Sequence, residues 1–426
     1  MEKMLTAAIA GLGNRGLDTY AAEMAKYPGE VKIVAVADLK PEKVDKARKL
    51  FGIRQENCFG SAEEMLEQDK LADFMIIATP DRLHIPQAMS ALQKGYDLLL
   101  EKPISSDAGA CKQIAVLAEK LDRKVVVCHV LRYTPFYKTL KQMIEQGKIG
   151  EVVSIMAIEN VGYYHHAHSF VRGNWRNSRE SSPMILQKCC HDTDILTWLA
   201  GGTAKTTSSF GSTYLFKSEK APQNQVKRCL DGCPVKEQCV FDAEKIYITN
   251  DRTGVAKGNT GWPNTVLTLT PTVESVYQAL KEGPYGRCVY YCDNDVVDHQ
   301  IVNINMENGA TISLTMSGLT GEFARYLKIM GTAGELIGDM ATNLISYWPF
   351  GSERQVINVA ELADNFEGHG GGDAGLIREF LDYMQGKEVS AAITSLEVST
   401  DSHYIALAAE ESRLAEGKAV SIDSYR

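Results

Sequence analysis

The sequence predicts an α/β protein in two parts: a parallel sheet wrapped by helices, then an α+β half built on an open, largely antiparallel sheet. Three observations predict it. The first 130 or so residues alternate short apolar runs with amphipathic segments, a glycine-rich turn follows the first run, and from about residue 151 the apolar pattern changes to every second position. Near-continuous apolar strands belong to parallel sheets covered on both faces, and alternating strands to sheets with one wet face.

Taken in order, residues 5 to 10 (LTAAIA) read as a first strand, Gly11-Leu12-Gly13-Asn14-Arg15-Gly16 as a turn opening a helix, and VKIVAVA as a second strand running up to Asp38. A helix follows at 41 to 51, a weak strand near Cys58, a helix at 61 to 68, a strand in ADFMIIAT, a helix at 81 to 94, a strand in DLLLEKP, a helix at 106 to 121 and a strand in KVVVCHV. A helix from Pro135 to Gly147 leads to alternating strands at 151 to 161, 299 to 306 and 310 to 317, and helices at about 373 to 385 and 395 to 415 close the chain. This divides the chain into residues 1–130 and 131–426, the second part carrying a cysteine-containing insertion at about 205–300.

The opening unit carries chemistry. In G-x-G-x-x-G between a strand and a helix, Gly11 permits the tight turn, Gly13 lets the backbone approach a pyrophosphate, Gly16 lets the helix pack on the strand, and the helix N–H groups attract phosphate. Asp38, at the end of the second strand, would hydrogen-bond a ribose diol and repel a 2′-phosphate. The unit is therefore a Rossmann dinucleotide-binding fingerprint with NAD favoured over NADP. Ligands of such sheets lie at the carboxyl ends of the strands, which places Thr79, Pro80, His84, Glu101, Lys102 and His129 on the cofactor edge with Asn14 and Arg15.

Composition narrows the partners. A net charge of -9 over 426 residues and a pI near 5.6 give no basic stripe for nucleic acid. No apolar stretch of about 18 residues is available to span a bilayer. The short run MLTAAIA leads straight into the glycine turn and reads as a strand, so a cytoplasmic protein is expected. Ten cysteines in a chain this long are thiols, metal ligands or core filler rather than a disulfide scaffold.

Glu101-Lys102-Pro103 at a strand end, the N-terminal fingerprint, the segment Leu131-Arg132-Tyr133-Thr134-Pro135-Phe136 and the run His191-Asp192-Thr193-Asp194-Ile195-Leu196 together resemble the glucose-fructose oxidoreductase / inositol dehydrogenase (Gfo/Idh/MocA) family. The resemblance covers most of the chain outside about 205 to 300. It implies that Lys102 contacts the substrate hydroxyl, often with a cis Lys-Pro bond, and that His191 is its acid/base partner. It also implies a dimer or tetramer paired through the second domain's sheet. Many family dehydrogenases place an aspartate four residues before the histidine, and here Gln187 stands in that place beside Lys188. Independently of any family, a cationic lysine beside an alcohol stabilises the alkoxide that forms as hydride leaves, and a desolvated lysine also serves as base.

Gly162 to Arg176 (GYYHHAHSFVRGNWR) is dense in aromatic faces and hydrogen-bonding groups suited to a sugar, with Arg132, Tyr163, His166, Trp175 and Lys188 as expected substrate contacts. Cys229, Cys233 and Cys239, with Cys190, Cys288 or Cys292 as a fourth, are spaced to allow a structural zinc, an iron–sulfur cluster or plain reduced thiols. The expected activity is NAD-dependent oxidation of a secondary alcohol in a sugar, polyol or glycoside. Two other readings stand beside it: a glycoside hydrolase of the same fold working by oxidation, elimination and reduction, and a cofactor-sensing protein without catalysis.

Overall fold

A computed structural model describes residues 3–224, 226–363 and 366–426. Its first sheet has six parallel strands, β1 (Leu5–Ala10), β2 (Val31–Ala37), β3 (Cys58–Phe59), β4 (Phe74–Ile77), β5 (Asp97–Leu100) and β6 (Val125–Val127), in the order β3-β2-β1-β4-β5-β6. The sheet is central because its strands bury both faces, Ala7 to Ala10 and Phe74 to Ile77 having no exposed surface. Local chemistry fixes the helix starts between strands. Ser61 accepts the Glu64 N–H at 3.1 Å, Asp107 accepts the Ala110 N–H at 2.9 Å, and Thr134, followed by Pro135, accepts the Tyr137 N–H at 3.1 Å.

The second sheet has nine strands in the order β14-β13-β12-β11-β7-β10-β9-β8-β15. These are β7 (Val152–Asn160), β8 (Ala204–Ser212), β9 (His299–Met306), β10 (Thr311–Ser317), β11 (Ala324–Gly331), β12 (Gly334–Asp339), β13 (Leu344–Pro349), β14 (Gln355–Asn358) and β15 (Val420–Ser421). Every pairing is antiparallel except β7 with β10. One face is packed and the other open, as the alternation predicts. The row Phe210, Ile301, Thr315, Ile158 and Tyr326 runs in register across five strands of the open face, and three of these are large, exposed apolar side chains.

Two cores hold the halves together. The larger spans one face of the first sheet and the packed face of the second. The other covers the opposite face of the first sheet, and it includes Leu376, Ile377, Phe380 and Leu381 from the late helix Gly372–Met384. Phe380 meets Phe74 edge to face, with ring centroids 4.9 Å apart. A third, smaller core is formed within residues 216–292 together with Tyr164, Ala167 and Val171. Among the described residues no helix is long and apolar enough to cross a membrane.

Candidate active site

The glycine turn is built as its spacing predicts. Gly11 has φ +89°, and a Cβ there would lie 2.5 Å from the Ala78 carbonyl oxygen; one on Gly16 would lie 1.9 Å from the Gly11 oxygen. At Gly13 a Cβ would meet nothing within 4 Å, so the backbone faces open space at the start of the helix Asn14–Ala21. That space and the helix N–H end fit a pyrophosphate. Asp38 reaches back into the turn. Its Oδ2 accepts the Leu12 N–H at 2.7 Å and its Oδ1 accepts the Lys40 N–H at 2.9 Å, leaving a lone pair on each oxygen for a ribose diol. Asn14 is exposed at this mouth, as is Pro80, beside half-buried Thr79.

Other residues expected on the cofactor edge do internal work. His84 is buried, its ring nitrogens 2.7 Å from the Pro103 oxygen and 2.8 Å from the Thr79 oxygen, so it ties the ends of β4 and β5 together. Arg15 turns inward, donating to Glu101 Oε1 at 2.7 Å and to Asp373 Oδ1 at 2.7 Å. The Tyr20 hydroxyl donates to the same Glu101 oxygen, while Glu101 Oε2 accepts the Lys102 N–H at 2.9 Å. Glu101 is thereby fixed on both oxygens, and it sets the backbone from which Lys102 projects. Arg15 holds the Glu101 and Asp373 carboxyls below their ordinary range against the opposing effect of burial.

Lys102 follows β5, and its bond to Pro103 is cis. Its Nζ donates to the Gln187 backbone carbonyl at 2.8 Å and meets no carboxylate among the described residues. His191, at the start of the helix Cys190–Ala200, is an electrostatic neighbour of Lys102. Burial first, then Lys102 and His129, push its pKa well below the usual histidine range, and its Nδ1 is buried without a hydrogen-bond partner. Behind it lies His129, fully buried, with ring centroids 5.8 Å from His191 and 5.5 Å from His403. His129 Nδ1 is 3.2 Å from Asp194 Oδ1, off the line of a hydrogen bond, and Arg132 grips Asp194 with two bonds of 2.7 Å. Arg132 is thus occupied in a buried ion pair, which with burial opposing leaves the Asp194 carboxyl lowered to about 2.

Lys188 is an electrostatic neighbour of Lys102. It is buried, its Nζ lies 3.3 Å from Glu159 Oε1 and over the Phe323 ring at 4.5 Å, and Arg325 bridges Glu159 at 2.9 Å and Asp192 at 2.8 Å. Burial lowers the Lys188 pKa and raises that of Glu159 to about 7. The electrostatic neighbours of Lys188 include Lys102, His165 and His369. The last two escape a sequence reading of site residues. His369 lies in Glu367-Gly368-His369-Gly370-Gly371-Gly372-Asp373 with the left-handed φ of +49°; its Nδ1 is 3.0 Å from Asp373 Oδ2 and its ring 6.2 Å from that of His191. A lone histidine among four glycines, ahead of an acid at a helix start, was the available signal. His165 projects between Trp262 and Phe323, with centroids at 4.9 and 5.2 Å.

Within the Gly162–Arg176 run, the residues expected to grip substrate divide. His166 is buried against Phe216, with its pKa lowered by burial to about 4, and His168 is stacked on Tyr285 with Nδ1 2.9 Å from the Tyr247 hydroxyl. Tyr163 accepts from Asn250 at 3.3 Å, and Trp175 Nε1 donates to Asp81 at 3.4 Å. The helix Tyr163–His166 explains the split, because its period points His165 and His166 to different sides.

The expected metal centre is corrected. Among the described residues no three Cys, His, Asp or Glu side chains converge as metal ligands. Cys190 belongs to the large core, with burial raising its thiol to about 12, whereas Cys229 belongs to the small one with Cys239, Cys288 and Cys292 packed in or against it. Cys233 is half-buried. These cysteines serve packing beside the aromatic and aliphatic side chains of the small core, such as Phe216, Phe241 and Ile246, and neither zinc nor an iron–sulfur cluster is supported.

Comparison with known proteins agrees with the geometry. The family model GFO_IDH_MocA, described as an oxidoreductase family with an NAD-binding Rossmann fold, matches residues 5–129, and its C-terminal α/β domain model matches residues 141–399. The putative oxidoreductase YteT of Bacillus subtilis is 24% identical over 404 residues, covering 89% of each chain. An inositol 2-dehydrogenase of Corynebacterium glutamicum is 26% identical over 202 residues, 47% of this chain and 56% of that one. A scyllo-inositol dehydrogenase from Lactobacillus casei, solved with NAD(H) and scyllo-inositol, shares the fold with a TM-score of 0.65 at 17% identity, covering 99% of this chain and 100% of the other.

Proposed function

Because the chain belongs to the Gfo/Idh/MocA oxidoreductases, with their NAD-binding Rossmann half and α/β C-terminal half, we propose that it oxidises a secondary alcohol of a sugar, polyol or glycoside at the cleft between Lys102 and His191. The observation that carries the reading is the placement of these two groups. Lys102 donates to the Gln187 backbone carbonyl, and His191 is its electrostatic neighbour at the start of the helix Cys190–Ala200, with an Nδ1 that has no hydrogen-bond partner among the described residues.

Bound NAD would supply the hydride acceptor. Lys102 donates a hydrogen bond to the substrate hydroxyl and stabilises the negative charge that grows on its oxygen. His191, whose Nδ1 has no hydrogen-bond partner among the described residues, takes the hydroxyl proton. Gln187 cannot take a proton, but its carbonyl orients Lys102, so the acid/base work falls to lysine and histidine. Lys188 and His165, beside the flat faces of Phe323 and Trp262, offer the mixture of donors and ring surface that a pyranose or inositol presents to a protein. The inositol dehydrogenases among its relatives support a polyol substrate.

His369 favours a second reading. Elimination of a glycoside needs one more proton, delivered to the departing oxygen, and a histidine beside His191 on a glycine segment supplies a donor that simple alcohol oxidation does not require. Incubating the protein with NAD and a panel of inositols, sugars and aryl glycosides, while following NADH and free sugar together, separates the two. Stoichiometric NADH is expected from one polyol or sugar class. Sugar release without net NADH would select the second reading, and silence in both channels with NAD bound would defeat both. Replacing Lys102 by Ala is expected to lower turnover by about 10²-fold or more with NAD affinity kept.

A further inference from the structure

Outside the cleft, a cavity of about 300 Å³ opens beside the segment joining β8 to β9, with Arg172, Asn174, Arg176, Arg228, Glu282 and Arg287 on its wall. Four guanidinium groups on one cavity require counter-charge. Asp293 supplies it to two of them, accepting from Arg176 at 2.7 and 2.8 Å and from Arg287 at 2.8 Å, and Glu180 adds a contact to Arg176 at 3.2 Å. Arg172 and Arg228 have no carboxylate partner among the described residues. Arg172, with no exposed surface, donates to the carbonyls of Arg287 and Phe241 at 2.7 Å each and lies 3.6 Å from Cys229 Sγ. Arg228 donates to the carbonyls of Leu280 and Gly283 at 2.7 and 2.6 Å. Each also keeps one buried N–H without an acceptor, Nη1 on Arg172 and Nε on Arg228.

The rest of the chain shows what this protein does with buried and half-buried arginines. Arg15 is matched to Glu101 and Asp373, Arg132 to Asp194, and Arg325 to Asp192 and Glu159. A desolvated guanidinium given only neutral acceptors is strongly disfavoured, and an unfilled N–H adds to the cost. Glu282 does not close the gap, being exposed and engaged by Gln278. We propose that this cavity binds the oxyanion, carboxylate or phosphate, of a small acidic metabolite. The planar fork of arginine matches both groups, and the volume suits a molecule of about monosaccharide size.

Arg172 ends the segment Ala167–Arg172, which continues the helix carrying His165, so an anion held here braces the piece of chain that reaches the cleft. The binding itself does not depend on the reaction assigned to that cleft. Calorimetric titration at fixed ionic strength tests it, using inorganic phosphate, galacturonate, and neutral galactose as control. Saturable binding of phosphate or galacturonate, but not galactose, is expected, and which of the two binds identifies the oxyanion. Arg228→Gln and the more peripheral Arg176→Gln should each weaken it by roughly tenfold or more, with folding checked by circular dichroism. Lys102→Ala should leave it intact. Absence of saturable binding to the wild-type protein, or binding lost in Lys102→Ala and kept in Arg228→Gln, overturns the proposal.

Discussion

Asp38 does two things with one carboxylate, and both bear on cofactor choice. It closes the glycine turn through the Leu12 N–H and keeps free lone pairs for a ribose diol. Replacing it by Ser should therefore loosen the turn as well as admit a 2′-phosphate, and NAD is expected to bind about tenfold more weakly without full gain of NADP affinity; titration of both cofactors checks this. Gly13 separates binding from stability at the same spot. Gly13→Ala has room for its methyl group, so thermal stability should hold while NAD binding falls. The glycine turn, Asp38 and Lys102 were legible because each depends on local order of strand, turn and helix. Arg15 and His84 were not, since their partners Glu101, Asp373, Thr79 and Pro103 are brought in by the tertiary fold. The choice of His165 over His166 depends on which side of a short helix meets Lys188, which no residue type announces.

At the scale of elements, the parallel half was readable nearly strand by strand, because its inner strands are largely buried on both faces, while the short, half-buried edge strand β3 gave the weakest signal. The second sheet was readable only where alternation was strong, in β7, β9 and β10. β12 to β14 mix glycine, aromatic and charged residues and pair by sequential hairpins, so their identity lies in register more than in composition. The segment 367–373 looks like a loop in sequence and carries a run of positive-φ residues, Gly368, His369, Gly370 and Gly371. Gly372 packs against the Val130 carbonyl, where a Cβ would lie at 2.4 Å, so Gly372→Ala should destabilise the protein by about 1–3 kcal/mol in chemical denaturation, in contrast to Gly13→Ala.

For the whole molecule, two properties follow from what is buried and what is not. The open face of the second sheet carries Phe210, Ile301 and Ile158 in one cross-strand row with Met156 and Ile337 beside it, an apolar surface that a second copy of the chain would cover. We expect a homodimer or homotetramer, and Ile158→Lys should shift its mass toward the monomer in light scattering. The second property is acid sensitivity. His166, His168 and His403 are buried neutral, with pKa values lowered by burial to about 4, 3 and 3, whereas an unfolded chain takes up these protons near 6.5. The unfolded state binds more protons below that point, so stability should fall as pH drops from 6.5 toward 4, by up to about 1.4 kcal/mol per pH unit for each histidine, and be flat in these terms above 7. Asp194 adds loss of the same sign between its ordinary value and about 2. Melting temperature measured from pH 8 to 4 checks the direction.

The helix Gly372–Met384 covers part of one face of the first sheet with residues made long after that sheet's own strands. While the ribosome is still adding the second half, the helices at 14–24 and 41–51 already cover part of this face, but the late helix is missing from the part holding Phe74, Ile76 and Val126, although the sheet behind it can already pair. A nascent chain released before residue 384 would therefore leave that part of the face bare to chaperones and to other copies. Supplying the helix as a separate peptide to such a fragment should restore its solubility.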